Sequence, residues 1–228
     1  MRKWLNQLPD KEQTEWCNFW YDQANIQVGK RILLVGDSVA RQIRRTLSDI
    51  LKCPVDLFGT SAALRDQMFW DQWECFFKNN LYRYQAVFIW VGNHSRMSED
   101  GKSYFSEYDY LRFREDFTYL VEQCQKRSSK VIVLTTLHMY KCRKYNADIE
   151  RIRRKLWIKP KEYLNEEENV VVEGKNRIMK EVANRYNLSF YDIDDRLMKS
   201  KFWHVDFIHY IPESNLYVSQ ILRDLLVL

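Results

Sequence analysis

Short apolar runs rich in Val, Ile and Leu alternate along this chain with longer amphipathic stretches, the pattern of βα units wound around a parallel sheet. Strands are predicted at 31–36 (RILLVG), 54–58 (PVDLF), 86–91 (AVFIWV), 130–136 (KVIVLTT) and 188–193 (LSFYDI). The first, third and fourth are nearly all apolar, as strands covered on both faces are. Helices are predicted at 39–52, where Ile43, Leu47, Ile50 and Leu51 share a face, and at 109–127, 174–187 and 212–226, with Pro212 suited to a first turn. Residues 10–25 also scan as a helix, with Asp10 as N-cap, Gln13 three residues on, and Trp16, Phe19 and Trp20 as its apolar side.

These elements predict a single domain over 1–228, with a helical extension over 1–28 packed against it. The stretch from 137 to 173 is the least regular. A connection of that length usually carries function or its own helix, so a helix at 147–158 and a role as a lid are both expected of it.

Composition refines this picture in three places. The apolar fraction of 46% and charged fraction of 29% exclude a disordered chain. Cys17, Cys53, Cys75, Cys124 and Cys142 are odd in number, scattered, and form no Cys-x-x-Cys pair. Free thiols in a reducing, cytoplasmic compartment are therefore expected, with neither a zinc knuckle nor a redox motif. The N-terminal residues form no apolar run of signal-peptide length, and no stretch reaches the ~20 apolar residues of a membrane span. The net charge of +5 is modest, yet residues 141–161 hold nine Lys or Arg against Asp148 and Glu150 alone. That basic segment predicts an anionic ligand beside it, with a solvated helix as the plain alternative. It matches no nucleic-acid recognition motif.

Chemistry concentrates at the two ends of the pattern. The first strand runs into Gly36-Asp37-Ser38 and then a helix, so Ser38 is placed at the carboxyl end of the sheet, where open α/β sheets bind ligands. Its backbone N–H there opens a helix, a setting that stabilises an oxyanion. Near the other end, Asp206-Phe207-Ile208-His209 leads into the last helix. An Asp three residues before a His can hold the imidazole Nδ1–H and leave Nε2 to take a proton from serine. Each feature alone reads as an N-cap or a loop histidine.

Together, Gly36-Asp37-Ser38 after strand one and Asp206-x-x-His209 before the final helix resemble the first and last motifs of the SGNH/GDSL hydrolases over residues 31–226. Gly36-Asp37-Ser38-Val39-Ala40-Arg41 further resembles the PC-esterase-like branch, which includes glycan O-acetyl esterases and O-acetyltransferases. The resemblance implies a three-layer α/β/α fold with a mainly parallel, flavodoxin-like five-stranded sheet. It implies Ser38 as nucleophile, His209 as general base and Asp206 as its orienting carboxylate, with no cofactor. It also implies an oxyanion hole from the Ser38 N–H, from Gly59, and from a third motif that departs from the family's Gly-x-Asn. In Gly92-Asn93-His94, strict counting from Gly92 puts His94 in the asparagine slot, so either Asn93 or His94 is the expected donor.

Arg41, one turn beyond Ser38, and His138, after the fourth strand, are candidate substrate contacts. Trp70, Trp73, Trp90 and Trp203 could stack on sugar rings or fill the core. His204-x-Asp206-x-x-His209 could hold a metal only with further ligands that the nearby sequence does not supply. The expected function is hydrolysis of O-acyl, above all acetyl, groups on a small-molecule or glycan ester through an acyl-serine. An O-acyltransferase using the same triad and a catalytically silent carbohydrate-binding protein are the alternatives.

Overall fold

The computed structural model describes residues 15–25, 29–78, 82–94, 96–97, 104–142 and 146–227. Its strands are β1 (Cys17–Trp20), β2 (Ile32–Gly36), β3 (Val55–Thr60), β4 (Ala86–Trp90), β5 (Val131–Leu134) and β6 (Ser189–Tyr191). Its helices are α1 (Ser38–Leu51), α2 (Gln67–Phe77), α3 (Glu107–Gln125), α4 (Ala147–Leu156), α5 (Glu166–Arg185), α6 (Ile193–Met198) and α7 (Ser214–Val227). The sheet order is β1-β3-β2-β4-β5-β6. All neighbours are parallel except β1 on β3. Without β1 this is the flavodoxin-like order, whose ligand crevice opens between the first and third parallel strands, here β2 and β4.

Strands β2, β4 and β5 are buried at every position because helices cover both faces of the sheet. One core, around Leu34, Phe88, Trp90 and Leu134, is closed by residues of α1 and α7 such as Ile43, Leu47, Val218 and Leu222. The other, around Leu33, Phe58, Val87 and Ile89, is closed by residues of α2, α3 and α5 such as Trp73, Phe76, Phe117 and Met179. Trp73, Trp90 and Trp203 are buried in these cores, and Trp70 packs against the second and donates to Leu64 O at 2.8 Å.

Three expectations need correction. The sheet has six strands, not five, since β1 adds an antiparallel edge. That strand occupies 17–20, inside the stretch expected to be helical from 10 to 25, of which 10–14 lie outside the described residues. The i, i+3, i+4 spacing of Trp16, Phe19 and Trp20 misled: Phe19 faces Phe58 and Phe76 across the ladder, while Trp20 turns out under the Arg44 guanidinium. The helices α2 and α6 were not predicted either. The expected helix over 147–158 is α4, and 109–127, 174–187 and 212–226 fall on α3, α5 and α7.

Candidate active site

Ser38 begins α1 directly beyond β2, and Asp37 caps that helix by accepting from the Val39 N–H at 2.9 Å. The turn is tight because Gly36 lets three elements meet: a Cβ there would lie 2.4 Å from Trp90 O and 2.7 Å from Ala40 Cβ. As the first helical residue, Ser38 has a backbone N–H without an intrahelical acceptor.

Asp206 and His209 sit on a narrow loop before α7, closed by a bridge between His204 and Tyr210 and by hydrogen bonds from Val205 N to His209 O and Ile211 N to Trp203 O. Asp206 Oδ1 accepts from the N–H groups of Ile208 at 2.8 Å and His209 at 2.7 Å. Its other oxygen lies 2.7 Å from His209 Nδ1, and His209 Nε2 lies 2.7 Å from Ser38 Oγ. Burial would raise the Asp206 pKa, but hydrogen bonds from the His209 ring and from the two backbone amides outweigh it and hold the carboxyl below its ordinary value. The carboxylate is thus kept ionised against the ring nitrogen it orients.

The basic insertion buttresses this loop. Buried Glu150 of α4 lies 3.2 Å from Trp203 Nε1 and 2.8 Å from Arg153. Glu162 accepts from His204 N at 2.7 Å and contacts its Nδ1 at 2.9 Å, and the imidazole lies between the rings of Tyr140 and Tyr210. His204 is therefore engaged with Glu162, away from the Asp206 and His209 pair. Arg154 pairs with Glu213 at 2.7 Å and lines, with Asp206, Gln42, Tyr210 and Asn215, a cleft of about 570 Å³. So α4 borders a cleft that Asp206 also lines. The same segment packs as a support on the loop that carries Asp206 and His209.

The third motif approaches from β4. Gly92 has φ +111°, and a Cβ would lie 2.2 Å from Thr136 Oγ1, so only glycine suits the position. Asn93 is buried and donates through Nδ2 to Asp37 Oδ2 at 2.6 Å. His94, not Asn93, lines a hollow of about 30 Å³ together with Gly36, Asp37, Ala62, Ala63 and Gly92. The floor is Lys175, whose Nζ donates to Gly92 O at 2.9 Å and His94 O at 2.7 Å. Sequence reasoning missed Lys175, since a lysine in an amphipathic helix carries no sign of burial.

Three further predicted site residues have contacts of their own. Gly59 lies inside β3, paired with Asn18 and Gly36, rather than in the turn beyond it. The chain that does turn past the hollow is Thr60 to Arg65, in which Ser61 N–H donates to Trp16 O and Ala62 N–H to Thr60 Oγ1. Arg41 stacks on the Trp16 ring, 4.4 Å from its centroid. His138 is not brought to Ser38: it lines a separate cleft with Asp192, Asn176 and Arg177, its Nδ1 bonded to Asp194 and its Nε2 3.6 Å from Glu173.

The hydrogen bond from the His138 ring to Asp194 raises the His138 pKa, with burial opposing and Glu173 assisting. A raised histidine contributes stability that is complete below its unfolded pKa of about 6.5 and is lost as pH rises through the folded value. His138→Gln should therefore lower Tm most under mildly acidic conditions, with wild type and variant converging as pH rises. A Tm gap that widens with pH would contradict this pairing.

No family model and no curated protein sequence matches the chain. Solved structures do share its fold. A protein from Slackia heliotrinireducens assigned as an SGNH hydrolase is 13% identical with a TM-score of 0.55, over 86% of this chain and 98% of that one. A lipase/acylhydrolase from Enterococcus faecalis is 15% identical with a TM-score of 0.54, over 87% and 96%. An acetylxylan esterase from Geobacillus stearothermophilus is 12% identical with a TM-score of 0.53, over 88% and 96%. The chain thus has the three-layer α/β fold of the SGNH hydrolases, as its two end motifs imply.

Proposed function

We propose that this protein is a serine-dependent ester hydrolase of the SGNH type that removes small O-acyl groups, acetyl above all, from a carbohydrate. The observation that carries the reading is the continuous chain from Asp206 through His209 to Ser38 Oγ, made of two 2.7 Å contacts. His209 Nε2 takes the hydroxyl proton as Ser38 Oγ bonds to the ester carbonyl carbon, then gives that proton to the leaving alcohol as the C–O bond breaks. Water, deprotonated by the same nitrogen, releases the carboxylate from acyl-Ser38. The Ser38 N–H and a side chain of the third motif hold the oxyanion. His94 is favoured over Asn93 in that role, since Asn93 already donates to Asp37 while His94 lines the hollow.

Two features support a short acyl group on a sugar. The hollow beside Gly36 and Asp37 is small and lies next to the turn that leads into Ser38, which favours a short acyl group there. One structural neighbour is an acetylxylan esterase. The test is to treat the protein with a fluorophosphonate and map the adduct, then follow acetate release from acetylated sugars with and without acetyl coenzyme A and free sugar acceptors. Adduct on Ser38 and acetate as the main product support the hydrolase. Acetylated sugar with little free acetate would replace it by a transferase with the same residues, and an adduct elsewhere would remove Ser38 as nucleophile.

A further inference from the structure

Helix α4 is built inside out. Its one buried residue is Glu150, whereas Ile149, Ile152 and Leu156 are 46%, 54% and 60% exposed. Their spacing of three and four places them on one face of the helix. The stripe continues past the helix end into Trp157 and Ile158, also half exposed. Trp157 is the C-cap, held at φ 54° with its N–H on Arg153 O and Arg154 O, and its ring rests against Phe202 and Trp203 under the Lys201 ammonium. Lys155 and Lys161 lie on the same segment and Lys201 sits over the Trp157 ring, while Arg151, Arg153 and Lys159 pair with Asp148, Glu150 and Glu162, so that the segment keeps a positive excess.

An exposed apolar patch of this kind marks a contact surface. We infer that α4 and residues 157–158 dock on an anionic lipid bilayer, with the apolar stripe entering the headgroup boundary and the basic rim meeting lipid phosphates and carboxylates. Charge complementarity selects this occupant. A helix with Ile and Leu on one side, Arg and Lys along its edges and a Trp at its end has the composition of an interfacial helix. No helix among the described residues is long and apolar enough to cross a membrane, so the attachment is peripheral. Arg154 of the same helix lines the cleft beside Asp206, on the side of α4 away from the stripe. The inference needs no turnover and stands or falls separately from the ester reading.

The experiment is co-sedimentation of the full chain with vesicles of phosphatidylcholine containing phosphatidylserine, against vesicles of phosphatidylcholine alone. Binding should be on the order of tenfold stronger to the anionic vesicles and fall as salt is raised. Ile152→Ser combined with Leu156→Ser should reduce it about tenfold, with the far-UV spectrum and turnover of a soluble ester unchanged. Lys155→Glu, a surface change that leaves the apolar stripe intact, should weaken binding to anionic vesicles selectively. Equal binding to both vesicles, no binding to either, or binding untouched by these variants would overturn the inference. So would an oligomer in sedimentation velocity that the same variants dissolve while vesicle binding stays absent, since the stripe would then be an interface between copies.

Discussion

Ser38→Ala and His209→Ala should each lower kcat on an activated acetyl ester by about 10⁴-fold to 10⁶-fold, and the double variant should be no worse than either single one. The non-additivity follows from the geometry. Ser38 Oγ is 2.7 Å from His209 Nε2, so without the imidazole the hydroxyl has no base, and without the hydroxyl the imidazole has no proton to take. Asp206→Asn should cost about 10³-fold to 10⁴-fold, because an amide can present its N–H to Nδ1 and stabilise the wrong tautomer. Asp206 Oδ1 also accepts two backbone amides, so Asp206→Ala should lower Tm as well, whereas Ser38→Ala should leave Tm nearly unchanged. Rapid-quench kinetics with the labelled ester, set beside thermal melts, separate these outcomes. A Ser38→Ala variant with more than a few per cent of wild-type turnover would end the triad reading, and multiplicative losses in the double variant would show that the two residues act independently.

Much of this geometry was legible in the chain because it is local. Gly36-Asp37-Ser38 couples a strand end to a helix start within three residues, and Asp206-x-x-His209 closes its own turn through backbone amides of the same tetrapeptide. Buried parallel strands announce themselves as apolar runs, which is why β2, β4 and β5 appear at the predicted places. What stayed hidden depends on pairing between distant segments. β1 exists only because β3 offers it an edge, and its aromatic spacing fits a helix equally well. Gly59 follows the predicted strand 54–58 in the sequence, whereas β3 runs on to Thr60 and takes it in. His138 shares the carboxyl edge of the sheet with Ser38, as its position after β5 requires, but Asp194 of α6, an unpredicted helix, draws it into a different cleft. The segment 137–173 was legible only in part, since 166–173 are the first turns of α5, and the inverted polarity of α4 was visible only once Glu150 was seen buried.

Lys175→Met should lower kcat by about 10²-fold, the scale of losing one oxyanion donor, although Lys175 touches no reacting atom in the proposed mechanism. The side chain is 1% exposed, and its Nζ bridges Gly92 O and His94 O, at the two ends of the third motif. Burial drives its pKa far down, with Arg96 and Arg65 adding to the effect and Asp37 opposing it. Its nitrogen donates to both carbonyls that the motif turns toward it. Phe105 and Phe113 place their rings 4.7 and 5.4 Å from the nitrogen and close the remaining side. Methionine fills a similar volume but donates nothing, so both carbonyls lose this donor at a cost of about 1–3 kcal/mol each, and the loop that carries His94 is free to shift. A shift of about 1 Å in such a group is enough to lose most of its effect. His94→Ala should reproduce the loss in kcat with a smaller change in Tm, and Lys175→Met combined with His94→Ala should be little worse in kcat than His94→Ala alone. Steady-state kinetics and melts on the three variants decide the matter: full kcat in Lys175→Met, or simple addition of the two losses, would show that Lys175 supports the core of the domain rather than the oxyanion side of the site.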